Sequence, residues 1–144
     1  MRIGARTRIF LLGLSMMLAG VTAKAQDVVI VTNKGAAISQ ITSSQLRDIF
    51  IGVRSRFQDG SMAIPVLLKG GPAHEVFLRK HVGESPDEFR IRWRKAVFTG
   101  QGSMPKEFGS EADLLKYVAM TPGAIGYVSR VSNLNSVKVL IVSP

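Results

Sequence analysis

Two rhythms of apolar residues alternate along this chain. Val28-Val29-Ile30-Val31, within Asp27–Thr32, is a short β-branched run of the kind that forms a buried strand. Asn33-Lys34-Gly35 then reads as a turn. Thr42-Ser43-Ser44-Gln45 has the form of a capping box, and Leu46, Ile49 and Phe50 share one face of the helix it starts, with Gly52 placed to end it. Arg54–Met62 is polar and carries the turn pair Asp59-Gly60, and Ala63–Leu68 is a second strand. Gly70-Gly71-Pro72 breaks that strand and opens a helix over 73–82, with Ala73, Val76 and Phe77 as its apolar face and Gly83 as its stop.

Ser85-Pro86-Asp87-Glu88 combines an N-cap, a proline at the first helical position and a capping-box glutamate. Phe89, Trp93, Ala96 and Val97 follow as one helical stripe, with Arg90, Arg94 and Lys95 off it. Phe98–Gly109 reads as a glycine-rich loop. Ser110 caps a further helix with Leu114, Leu115 and Val118 inward, and Thr121-Pro122-Gly123 ends it. Ala124–Val128 and Val137–Val142 are the last two strands. Strands interleaved with helices in this order predict an α/β domain with a mixed sheet flanked by helices.

The N-terminus follows a different pattern. Arg2, Arg6 and Arg8 precede an apolar run of 13 residues, Ile9–Val21, which ends at Ala23-Lys24-Ala25. This order of charge, apolar core and small residues is that of a cleavable signal peptide over 1–25. The run falls short of the roughly 20 residues a spanning helix needs. Cleavage after Ala25 would leave Gln26 first, with no cysteine there to carry a lipid. The expected location is therefore the periplasm.

The remaining 119 residues, 26–144, have the length of one domain. The formal charge of +9 falls once Arg2, Arg6, Arg8 and Lys24 leave, to 15 cations against 10 acids, or +5. That mild excess suits anionic small molecules or an anionic surface, and equally an ordinary solubilising shell. Export argues against nucleic acid as a partner. The chain has no cysteine, which excludes thiol chemistry and cysteine metal sites.

Four segments taken together resemble the phosphate-type substrate-binding proteins of ABC transporters, within the type II periplasmic binding-protein superfamily. They are Leu46–Gly52 with Phe57-Gln58-Asp59-Gly60, the strand Ile64-Pro65-Val66 leading to Phe77, Trp93 through Phe98-Thr99-Gly100, and Pro122-Gly123-Ala124-Ile125-Gly126-Tyr127-Val128. The resemblance runs from about Val28 to Ile141 and implies export, an α/β lobe and binding of an oxyanion such as phosphate. Two departures accompany it. Full-size members have two lobes, and this chain has length for one, similar to the second lobe. Where the family carries Ser-Gly-Thr before a helix, this chain has Gly70-Gly71-Pro72-Ala73, without the hydroxyls and with a proline that lacks an amide hydrogen. Phe57 stands where the family usually has tryptophan.

The candidate ligand-binding residues follow from what remains. Lys69, Gly70, Gly71 and His74 surround a helix start that favours anions. The plainer account is a glycine turn with Lys69 in solvent. Thr99 and Gly100, in Thr99-Gly100-Gln101-Gly102-Ser103, form a second flexible stretch with hydroxyl donors, or simply a loop. His74 and His81 stand seven residues apart, about 10 Å along a helix, too far to share one metal ion. No residue pattern calls for a catalytic role or a cofactor. Two functions result: a periplasmic solute-binding module for a small phosphate-like oxyanion, or a binding-protein fold serving as an interaction module in the envelope. An ABC permease or an envelope protein is the expected partner, and a homodimer would rebuild a two-walled cleft.

Overall fold

The computed structural model describes residues 27–144, so the segment read as a signal peptide lies outside the described residues. Six strands form one sheet: β1 (Val28–Thr32), β2 (Gln40–Thr42), β3 (Ile64–Leu68), β4 (Lys106–Phe108), β5 (Ala124–Ser129) and β6 (Lys138–Ser143). Their order across the sheet is β2-β6-β1-β5-β3-β4. β1 is antiparallel to both of its neighbours, while the β2–β6, β3–β4 and β3–β5 pairs are parallel. Five strands thus point one way and β1 the other. All five residues of β1 and all six of β5 are buried, which explains the continuous apolar run that marks the first of them.

Helices cover both faces. They are α1 (Ser43–Phe50), α2 (Pro72–Phe77), α3 (Pro86–Phe98) and α4 (Glu111–Met120). Register assigns the layers. Ile30 pairs with Tyr127 on one side and Leu140 on the other, so these three share a face. Tyr127 stacks on Phe77 of α2, with ring centroids 3.8 Å apart, and lies 6.0 Å from Phe50 of α1, so α1 and α2 cover that face. Gly126 points the other way. A side chain there would meet Leu114 of α4 and Val66 of β3, which places α4 on the opposite face. Trp93 of α3 is buried and donates its indole N–H to the Phe50 carbonyl at 3.1 Å, docking α3 on the end of α1.

The helix starts follow the predicted caps. Thr42 and Ser85 both form complete capping boxes, with Gln45 and Glu88 reaching back. α2 does not end as an α-helix: Leu78–Val82 continues it as a π-helical turn, closed by the bond from the Gly83 amide to the Leu78 carbonyl at 2.7 Å.

Two further sequence expectations need correcting. Val97 is not part of the buried stripe but is exposed, because α3 buries only Phe89 and Trp93 fully. Phe98 is the last residue of α3 rather than loop, and Lys106–Phe108 is a strand that pairs with β3. Gln40–Thr42 is a strand as well, on the far edge.

Candidate functional site

The carboxyl ends of β3 and β4 lie side by side, with Leu68 paired to Phe108. The backbone then parts. Lys69-Gly70-Gly71 leads from β3 into α2 on the Tyr127 face, and Gly109-Ser110 leads from β4 into α4 on the Gly126 face. Adjacent parallel strands whose following helices go to opposite faces leave a crevice between their ends, the place where open α/β sheets bind ligands. The Lys69 amide donates to the Phe108 carbonyl at 2.9 Å, which ties the two walls together at the base.

Lys69, Gly70, Gly71, Gly109 and Ser110 are all exposed, so the crevice is shallow and open. Gly71 is the N-cap of α2 with φ 95°, a conformation that favours glycine. Beyond Pro72, the Ala73 and His74 amides belong to a first helical turn and have no intrahelical acceptor. Among the described residues, no acid pairs with Lys69. Across the crevice Ser110 caps α4 by accepting from the Asp113 amide at 3.1 Å. Glu111, next to it, turns away. It accepts from the Ser129 amide and hydroxyl at 2.9 and 2.8 Å and from the Ser132 hydroxyl. Burial pushes its carboxyl up, but the Ser132 and Ser129 donors outweigh that and hold it below the usual carboxylate range.

His74 is buried and held by Tyr127. The Tyr127 hydroxyl oxygen accepts from the Leu68 amide at 3.0 Å and lies 2.5 Å from His74 Nδ1. Either group can be the donor in this contact, which ties His74 to Tyr127 at the end of β3. Burial, then the charge of Arg90, holds the His74 pKa below its ordinary value, against a smaller opposing effect of Glu75. Burial also raises the Tyr127 pKa. His74 is therefore a neutral group anchored in the core near the end of β3.

Thr99 and Gly100 stand in a different setting. They follow the C-terminus of α3, where the Thr99 hydroxyl donates to the Lys95 carbonyl at 2.9 Å and the Gly100 amide to the Val97 carbonyl at 3.2 Å. A helix C-terminus carries partial negative charge and repels anions. The structure thus gathers Lys69, Gly70, Gly71 and His74 around one crevice and adds Gly109 and Ser110. Sequence reading assigned Ser110 only a capping role, since its nearness to Lys69 depends on the β3–β4 pairing. Among the described residues, no three His, Asp or Glu side chains converge as metal ligands.

A mixed sheet with one reversed strand and helices on both faces is the α/β arrangement the sequence led us to expect, and it resembles about half of several phosphate-transport proteins. Similar solved structures include an ABC-type phosphate transport receptor from Vibrio cholerae, at TM-score 0.61 and 16% identity over 81% of this chain and 46% of that one. A putative phosphate ABC transporter substrate-binding protein from Clostridium perfringens, solved with bound phosphate, has TM-score 0.58 and 20% identity over 81% and 45%. PstS from Borrelia burgdorferi has TM-score 0.60 and 14% identity over 82% and 47%. The chain spans a little under half the length of each of these. No family model and no curated protein matches it by sequence.

Proposed function

We propose that this protein is an exported solute-binding module that takes a small oxyanion such as phosphate in the crevice between β3 and β4. The observation that carries the reading is that Lys69, Gly70 and Gly71 face Gly109 and Ser110 across the switch between two parallel strands, with an unpaired cation and free amides at its mouth. Similarity to phosphate-transport proteins supports the same chemistry. The oxyanion would be held by the Lys69 ammonium, the Gly70 and Gly71 amides and the Ser110 hydroxyl, with the His74 imidazole beneath. Affinity is expected to be modest, because a shallow, open crevice leaves most of a ligand in water where buried sites enclose it. An ABC permease or a second copy of the chain would cover its open side. We place the protein in the periplasm, released from its signal peptide, and among the described residues no helix is long and apolar enough to cross a membrane.

Thermal unfolding with and without millimolar phosphate and sulfate tests this. A ligand present at a hundred times its Kd stabilises the native state by about 2.7 kcal/mol. Phosphate should raise the midpoint of the wild-type protein by a few degrees, and Lys69→Glu should abolish the rise. No shift with any oxyanion would reject the reading. Intact mass of the exported protein should give an N-terminus at Gln26; a chain still carrying Met1 would reject cleavage.

A second reading, an envelope interaction module, draws on α3. Phe98 is 92% exposed, and Ile91 and Val97 are exposed near Arg90 and Arg94. Absence of every anion effect would favour it.

A further inference from the structure

The outward face of α3 is apolar along its centre and cationic at its sides. Phe89 and Trp93 point into the molecule, and Trp93 is fixed there by its bond to the Phe50 carbonyl. Ile91 and Phe98 stand seven residues apart, two turns along one line of the helix, and point the opposite way. Ile91 is 62% exposed, and Phe98 at the last turn is more exposed still. Val97 and Met104, exposed as well, stand with Phe98 around an open recess of about 370 Å³, with Arg90 and Arg94 beside it. Single exposed apolar residues are common, but four at one end of one helix make a patch.

The charges around this patch are of one sign. Arg94 lies between Ile91 and Phe98, three residues after the first and four before the second. Lys95 is one turn beyond Ile91, and Arg90 one turn before Arg94. Neither Arg94 nor Lys95 pairs with an acid among the described residues. Arg90 meets Asp87 at 3.3 Å, with both side chains exposed. Arg92 lies on the other side of the helix and is held by Glu84. The face thus sets three cations against one acid.

We propose that this face of α3 lies on the surface of an anionic phospholipid bilayer, with Ile91 and Phe98 in the interface and Arg90, Arg94 and Lys95 at lipid phosphates. The proposal rests on the second reading above, that α3 is an interaction surface, and names what it meets; it does not depend on the β3–β4 crevice. Charge selects an anionic partner. Shape selects lipid. The apolar side chains project from a convex helix face, and amphipathic helices bury such a face, flanked by cations, in the headgroup boundary. A surface of acidic side chains alone would answer the cations and leave Phe98 in water.

Co-sedimentation of the purified protein with phosphatidylcholine vesicles, with and without phosphatidylglycerol, is the test. Vesicles containing phosphatidylglycerol should bind it and the neutral ones should not, and added salt should weaken the binding. Arg94→Gln together with Lys95→Gln should weaken it by about tenfold or more, the loss of two cations near an anionic surface. Phe98→Ser should weaken it by about fivefold, the loss of one partly buried apolar side chain, with an unchanged thermal midpoint to show an intact fold. Lys116→Gln, on α4 over the opposite face of the sheet, should leave it unchanged. None of these variants should alter the thermal shift with phosphate, so the crevice and the α3 face fail separately. No binding to the anionic vesicles, equal binding to neutral ones, binding that survives Phe98→Ser, or an equal loss in Lys116→Gln would each overturn the proposal. Binding to polyglutamate without binding to vesicles would also overturn it, and would leave α3 as a surface for an acidic protein.

Discussion

Gly123, Gly126 and Tyr127 show how much a short motif can encode. Gly123 has φ 84°, and a Cβ there would sit 2.5 Å from the Met62 carbonyl oxygen, where its own carbonyl accepts from the Ile64 amide. Gly126 lets Leu114 of α4 reach the sheet next to Val66. Tyr127 satisfies the Leu68 amide at the end of β3 and fixes His74 beneath the crevice. Gly123→Ala should therefore cost more than about 1 kcal/mol in a urea melt. Tyr127→Phe, which leaves a buried amide and an imidazole nitrogen unpaired, should cost about 1–3 kcal/mol. Histidine supplies a pH signature. Folded His74 and His81 both titrate below 6.5, each chiefly through burial. As pH falls through 6.5, the unfolded chain takes up protons first, so stability declines until the folded pKa is reached. His74→Gln should reduce that decline, measured as urea midpoint against pH; an unchanged slope would mean His74 is not the buried neutral group described.

Secondary-structure elements were legible in the sequence where local chemistry decided them. The Thr42 and Ser85 boxes are local, and both helices start where expected. Ser85→Ala should cost about 1 kcal/mol, read from the thermal midpoint. β2 and β4 were not legible, because three residues at a sheet edge carry no period and exist only through partners far along the chain. The π-helical turn was equally silent. Its apolar spacing passes for an ordinary helix, and the widened turn is closed by Gly83 in the left-handed conformation. On α3 the alternation of apolar and basic residues concealed which apolar residues face inward: Phe89 and Trp93 do, and Val97 and Phe98 do not. Phe98→Ser should accordingly change stability by no more than about 0.5 kcal/mol; a larger loss in the same thermal melt would mean that Phe98 packs against something.

At the scale of the molecule, the chain spans a little under half of the phosphate-transport proteins whose fold it resembles. The candidate stretch Lys69–Gly71 was visible as a glycine turn after a strand. Its opposite wall, Gly109-Ser110, was hidden because only the parallel pairing of β3 with β4 brings it near. Gly70–Ala73 carries no hydroxyl, so the donors at the crevice are backbone amides, Lys69 and Ser110, and its shallow depth leaves them open to water. Oxyanion binding at this crevice is the central claim, and backbone amide shifts during a phosphate titration test it most directly. The account predicts saturable shifts at Gly70, Gly71, Gly109 and Ser110 that vanish in Lys69→Glu. Shifts absent from those four residues, or centred elsewhere on the sheet edge, would contradict it.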